Sequence, residues 1–151
     1  MTWLKNRVKD GKVIVWAHNG HLARSDLYGY PPLGAHLDRQ YGSRYAVIAT
    51  DFNHGEAYVN IFVARNKPLL GFRPRYFPPA PEKAYEFYFA QCRHQHFILE
   101  TATKDEVLAK FLRTPKDMRM IGAWNIPAYK KLSIADNFDF IVYLGKTRSQ
   151  W

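Results

Sequence analysis

The run Val13-Ile14-Val15-Trp16-Ala17 constrains this chain more than any other segment. It is five apolar residues with no polar alternation, introduced by the turn signal Asp10-Gly11-Lys12. A strand without alternation suits a central position covered on both faces, as in a parallel sheet. Phe138-Asp139-Phe140-Ile141-Val142-Tyr143-Leu144 reads as a final buried strand of the same kind.

The segments between them alternate in type. Leu33, Leu37 and Tyr41 stand at helical spacing over Leu33–Tyr41, and Gly42 ends that helix. Tyr45–Thr50 is the next strand. Asn53-His54-Gly55 then reads as a tight turn into Ala57–Val63, giving a β-hairpin. Arg65 to Pro81 carries five of the nine prolines and is expected to be a long irregular loop. Glu82–Arg93 forms a helix with Tyr85, Phe89 and Cys92 on one side, and Phe97-Ile98-Leu99 is a short strand. Thr103 with Glu106 is a capping box for the helix Lys104–Leu112, which Pro115 closes, and Met120-Ile121-Gly122 is extended. This order predicts an α/β fold: a mostly parallel sheet flanked by helices, with one β-hairpin.

A chain of 151 residues is one domain by size, and it can bury roughly 70% of its unfolded surface. The longest charge-free apolar run is too short for a membrane span. The first residues have neither an apolar core nor a cleavage site for a signal peptide. The single cysteine, Cys92, cannot form an internal disulfide, so the expected compartment is the cytoplasm. The net charge of +9 raises a nucleic-acid reading, but the 22 Lys and Arg are scattered. Their densest group is Arg65, Lys67, Arg73 and Arg75, and no basic helix or nucleic-acid motif accompanies it. Nucleic acid is therefore not an expected partner.

Ligands of open α/β sheets sit beyond the carboxyl ends of strands. His18 and His21 follow the first apolar run directly and can reach such a cleft. Neutral imidazole serves as a general base near neutral pH, and Asn19 can hold an imidazole or polarise a carbonyl. The pattern His-Asn-Gly-His alone fits two rings that only satisfy loop hydrogen bonds equally well. Asp51 and His54 stand at the carboxyl end of the second strand, where both can line the cleft, although His54 also fits a turn residue.

An ordered series of short matches resembles the erythromycin esterase family. The strand end Trp16–His21 comes first, then Gly34, Leu37, Tyr41 and Gly42 of a Gly-x-x-Leu-x-x-x-Tyr-Gly helix. Tyr45–Asp51 and the turn Phe52–Gly55 follow. Pro81–Glu86 looks like the family's Pro-x-x-Ser-Tyr-Glu helix start, with Ala84 in place of the serine. Met120-Ile121-Gly122 and Phe138–Tyr143 resemble the family's Arg-x-Ile-Gly and Phe-Asp-x-x-Ile-Tyr strands.

The resemblance implies a hydrolase that opens a small-molecule ester, in the best-known members a macrolide lactone, and so a link to antibiotic resistance. It implies catalytic roles for His18 and His21 and sets Glu86 at the family's glutamate; beside them Asn19, Arg24 and His54 are candidate substrate contacts from their positions in the sequence, although Arg24 fits an ordinary surface arginine better. A histidine would activate water and positive groups would stabilise the oxyanion. Family members are more than twice as long, and the histidine taken as their general base lies in their N-terminal part. Residues 1–151 thus correspond to the C-terminal part of an erythromycin esterase-like domain. The expectation is a truncated domain, inactive alone, from a truncated gene, a split gene or a fragmentary record, with an N-terminal half supplied by another chain in the split case. The competing expectation is a non-catalytic binding protein that keeps the fold and presents a basic surface.

No cofactor or metal is expected. Cys92, His94 and His96 alternate as zinc ligands can, yet a fourth ligand is lacking, and a buried cysteine with two surface histidines is the simpler reading. Gly145-Lys146-Thr147 mimics the end of a phosphate loop, but Phe140 stands where that loop needs glycine. The aromatics Phe72, Tyr76, Phe77, Tyr85, Phe87, Tyr88 and Phe89 fit core and interface positions better than a ligand platform.

Overall fold

A computed structural model describes residues 2–7, 11–64, 70–122 and 125–148. The α-helices among the described residues are α1 (Thr2–Arg7), α2 (Asn19–Leu22), α3 (Leu33–Tyr41), α4 (Tyr85–Phe89), α5 (Glu106–Arg113) and α6 (Ile134–Asn137). The strands are β1 (Ile48–Asn60), β2 (Phe72–Phe77), β3 (His96–Glu100), β4 (Lys116–Met120), β5 (Ala128–Leu132) and β6 (Phe140–Thr147).

The larger sheet has the order β2-β1-β6-β3, and β4 and β5 form a separate antiparallel pair. The expectation of a mostly parallel sheet is not met. Only β1 and β6 run parallel, from Ile48 opposite Phe140 to Gly55 opposite Thr147, while β2 and β3 add to the two sides antiparallel. The fold is mixed α/β.

The chief reason is Val13–Ala17, which enters no sheet. It runs extended, with Val15 and Ala17 packed on the core and Ile14 and Trp16 each 91% exposed. The segment thus shows the two-sided character of a strand but has no ladder partner among the described residues.

The expected turn at Asn53-His54-Gly55 is also overturned. The chain runs straight through these residues inside the 13-residue β1. Gly55 takes φ +127°, and a Cβ there would stand 2.2 Å from the Thr147 carbonyl oxygen. Glycine serves here for close approach of β1 to β6, not for reversal. The hairpin forms further on, between β1 and β2, so the stretch expected to be irregular contains a strand. Arg65 and Lys67 of the basic group lie outside the described residues.

Other elements follow their sequence signals more closely. α3 has the expected bounds and ends at Gly42 with φ +51°. β3 covers the expected run Phe97–Leu99, and β6 takes the expected strand from Phe140 onward, Phe138 being the C-cap of α6. In the loop before α5, Thr103 Oγ1 accepts from the Asp105 N–H, and Asp105 is the N-cap, its Oδ1 accepting from Leu108 N at 2.8 Å. The acidic side chain nearer the helix outcompetes the threonine. α4 is one short helix, not the twelve-residue one expected; the chain leaves it before Cys92, which is exposed rather than buried.

The core forms where β6 meets α4, α5 and β4. Ile141 and Tyr143 point inward from β6 and are fully buried. The Tyr143 ring stacks on Phe97 at 4.9 Å and meets Phe89 edge-on at 5.3 Å. Full burial of such side chains is worth roughly 1.5–3 kcal/mol each. Buried Tyr85 donates its hydroxyl proton to the Thr114 carbonyl at 2.7 Å, tying α4 to the end of α5.

Candidate active site

A cleft of about 410 Å³ opens between the loop before α2 and the outer part of β1. Trp16, Ala17, His18 and Asn19 line one side. Thr50, Asp51 and Phe52 line the other, with Arg119, Ile121 and Gly122 beyond the end of β4.

His18 is the N-cap of α2. Its ring Nδ1 accepts from the Gly20 N–H at 3.2 Å. A neutral His18 ring therefore carries its proton on Nε2 and offers it as a donor. Burial lowers the His18 pKa below 6.5, and the nearby His21 lowers it further, so the neutral ring is favoured. The His21 ring centre lies 5.9 Å away, set edge-on. His21 is exposed and stands outside the cleft lining.

Asn19 fastens this turn to the sheet. Its Nδ2 donates to the Thr50 carbonyl at 2.7 Å, and its Oδ1 accepts from Thr50 N at 3.2 Å. A side-chain amide here occupies the hydrogen-bonding groups that a neighbouring strand would take. The contact sets His18 against the residue before Asp51. Behind the turn, Gly34 of α3 packs directly on its end: a Cβ at Gly34 would lie 2.0 Å from the Leu22 carbonyl oxygen.

Three charged residues are buried at the floor: Asp51 (8% exposed), Glu86 (0%) and Arg119 (3%). Glu86 is placed by a bridge between Ala84 and Asp117, beyond which its Oε1 accepts from Arg119 N at 2.5 Å. The Arg119 guanidinium donates to the Pro78 carbonyl at 2.9 Å and to the Asn53 carbonyl. Asp51 Oδ1 accepts from Phe52 N at 2.8 Å. Asp51 Oδ2, Glu86 Oε2 and Arg119 Nε are buried without a hydrogen-bond partner. Burial raises the Asp51 pKa well above the usual carboxylate range, and adjacent Glu86 raises it more; burial also raises Glu86.

Of the residues singled out in the sequence, His18, Asn19 and Asp51 thus line one cleft. Glu86 lies behind Asp51. His54 is half-buried on β1, its Nδ1 3.4 Å from Asn53 Nδ2, and does not line the cleft. Arg24 is held elsewhere, by Asp38 at 2.9 Å and Asp139 at 2.7 Å, and it donates to the Tyr45 carbonyl. Sequence reasoning missed Arg119, although it precedes Met120-Ile121-Gly122 as the arginine of the Arg-x-Ile-Gly pattern. Among the described residues no group of three or more His, Cys, Asp or Glu could hold a metal ion, and no helix is long and apolar enough to cross a membrane.

Three solved structures share this fold. A succinoglycan biosynthesis protein aligns over 88% of this chain and 32% of its own, at 20% identity and TM-score 0.74. A Bacillus cereus protein aligns over 97% and 36%, at 22% identity and TM-score 0.80. A histidine-to-asparagine mutant of the erythromycin esterase EreC, in its open conformation, aligns over 96% and 34%, at 22% identity and TM-score 0.67. The chain spans about a third of the length of each. No curated protein matches it. The sequence profile described as Erythromycin esterase matches residues 1–147, and the chain belongs to the erythromycin esterase family.

Proposed function

We propose that this chain carries the two-histidine portion of a site that hydrolyses a small-molecule carboxylic ester, a macrolide lactone being one candidate. The observation that carries the reading is the meeting of His18 with Asp51 and Arg119 at one cleft, with His21 beside His18. His18, neutral and protonated on Nε2, suits a donor to a carbonyl oxygen better than a base. His21 is then the group to take a proton from water. Asn19 acts by holding the turn, and Glu86 by holding the floor. Arg24 and His54 stand outside the cleft lining, and Arg24 is engaged by Asp38, Asp139 and the Tyr45 carbonyl instead.

We also propose that residues 1–151 correspond to the C-terminal part of a larger domain, whose N-terminal portion completes the site. Two observations favour this. The matched structures are about three times longer, and Ile14 and Trp16 present an apolar strand face that nothing described covers.

The test uses the purified chain, alone and mixed with the N-terminal two-thirds of EreC, on 4-nitrophenyl esters and a macrolide, with products weighed by mass spectrometry. The expected result is addition of one water only in the mixture, lost with His18→Ala or His21→Ala. No hydrolysis in the mixture, or hydrolysis indifferent to both substitutions, would overturn the site. Rapid hydrolysis by the chain alone would overturn the need for a second portion. Salt-sensitive binding to polyanions without hydrolysis would favour a binding protein instead.

A further inference from the structure

The buried floor of the cleft holds two carboxyl groups and one guanidinium. Each carboxyl has one oxygen bonded to a backbone N–H and one oxygen with no partner. The two carboxyls are close enough that each alters the other's proton affinity. Two unpartnered, buried carboxyl oxygens lack a donor, and a single retained proton supplies it.

Charge leads to the same state. With both carboxyls ionised the floor would hold two negative charges against Arg119 alone. No ion pair within 4.0 Å joins that guanidinium to either of them, since it is turned to the Pro78 and Asn53 carbonyls. Two like charges side by side in a low dielectric cannot both persist. One proton makes the floor neutral overall. Glu86 is the better anion, because the bond it accepts from Arg119 N, at 2.5 Å, is shorter than the 2.8 Å bond that Asp51 accepts from Phe52 N. Asp51, and not Glu86, lines the cleft.

We propose that Asp51 serves this cleft as a neutral carboxylic acid, donating a hydrogen bond and then a proton to an oxygen of the bound ester, with ionised Glu86 behind it as a positioning residue. The role toward an ester rests on the hydrolytic reading; the protonation state does not. In the full step His21 takes a proton from water, and the oxygen left behind bonds to the carbonyl carbon. The bond from that carbon to the alkoxy oxygen then breaks with its electron pair, and that oxygen takes the Asp51 proton. Protonated His21 returns its proton through solvent to Asp51. Glu86 on α4 and Arg119 on β4 exert charge on Asp51, whereas Tyr143 on β6 and Tyr129 on β5, held neutral by raised values, only feel its charge, and His18 faces the same cleft.

The experiment is a carboxyl-carbon NMR titration of the full chain labelled at Asp and Glu, assigned through the backbone without substitution. Asp51 should keep the chemical shift of a protonated acid at pH 7 while Glu86 has that of an anion. Glu86→Gln, by removing the adjacent charge, should move the Asp51 midpoint down by about one pH unit. An ionised Asp51 at pH 7, or a proton resting on Glu86, overturns the proposal. In the mixture with the EreC portion, Asp51→Asn should lower kcat by about 100-fold with little change in KM and remove the alkaline limb of the pH profile. Unchanged hydrolysis by Asp51→Asn overturns the catalytic role. If no ester is hydrolysed at all, the hydrolytic reading falls with that role, and the titration still decides the protonation.

Discussion

Asn19 and Thr50 exchange two hydrogen bonds between a side-chain amide and a strand backbone, at 2.7 and 3.2 Å. The pair turns a four-residue helix into part of the sheet's architecture, because α2 alone is too short to hold His18 in place. Asn19→Ala should cost about 1 kcal/mol, a fall of roughly 2–4 °C in Tm. Asn19→Asp should cost at least as much, since it loses the donor and sets an anion against the Thr50 carbonyl. Thermal unfolding of both variants checks the order.

Gly34 carries the other side of the same turn. Its missing Cβ lies where the Leu22 and Ala23 carbonyls pass, so Gly34→Ala must push α3 away from α2. A loss of about 3 kcal/mol is expected by urea unfolding, with shifted His18 and His21 ring signals. Gly42→Ala is the control. Its Cβ meets nothing within 4 Å, so the strain of a side chain at φ +51° and ψ −129°, about 1–3 kcal/mol, arises without touching the histidines.

These contacts explain what could be read in the sequence. Gly34, Leu37 and Gly42 announced α3 because helix packing and termination are local. β6 and β3 were legible as apolar runs. β1 was not, because Gly55 looks the same in sequence whether it reverses a strand or brings two strands together; Thr147, ninety-two residues on, decides between them. Val13–Ala17 misled because apolar character reports burial demand and not a hydrogen-bonding partner. The site was half legible. His18 and Asn19 stand at a strand-like end, but the floor is assembled from three separate segments, and its carboxyl pair appears only once β1, α4 and β4 are packed.

Arg24 is engaged by Asp38 and Asp139, and Asp139 Oδ2 also accepts from Val47 N at 2.6 Å. The cluster joins the loop after α2 to the entry of β1 and β6. Arg24→Met should therefore lower stability by about 1–2 kcal/mol. In any assay of ester hydrolysis its KM should stay within about twofold of the parent, once compared at a temperature where both are folded. A large KM rise without loss of stability would assign Arg24 to substrate instead.

His18 should titrate below 6.5, since burial and His21 both disfavour its cation. The sign of the linkage follows. Below about pH 6.5 the unfolded chain takes up the proton first, so the stability present above that pH is lost as pH falls toward the folded value. Histidine ring NMR should show the neutral Nε2–H form at pH 7. His18→Asn, which keeps an N-cap acceptor, should remove this part of the acid destabilisation. A His18 midpoint at or above the ordinary value would contradict the buried neutral ring.

Arg119 decides whether the floor is held together by charge or by packing. Arg119→Met fills much of the same space but leaves the Asp51 and Glu86 carboxyls without their cation and removes the donors to Pro78 and Asn53. Breaking a buried charge group in this way should cost about 3–5 kcal/mol near neutral pH. Both carboxyls already have raised folded-state values, and losing Arg119 raises them further. A raised carboxyl stabilises the fold below its unfolded value and loses that contribution as pH rises through the folded one. The penalty of Arg119→Met should accordingly be smallest near pH 4 and grow toward pH 8. Urea midpoints of variant and parent across that range measure it. A penalty independent of pH would mean that the guanidinium acts through its two carbonyl contacts alone, and that its charge does not govern the proton in the cleft.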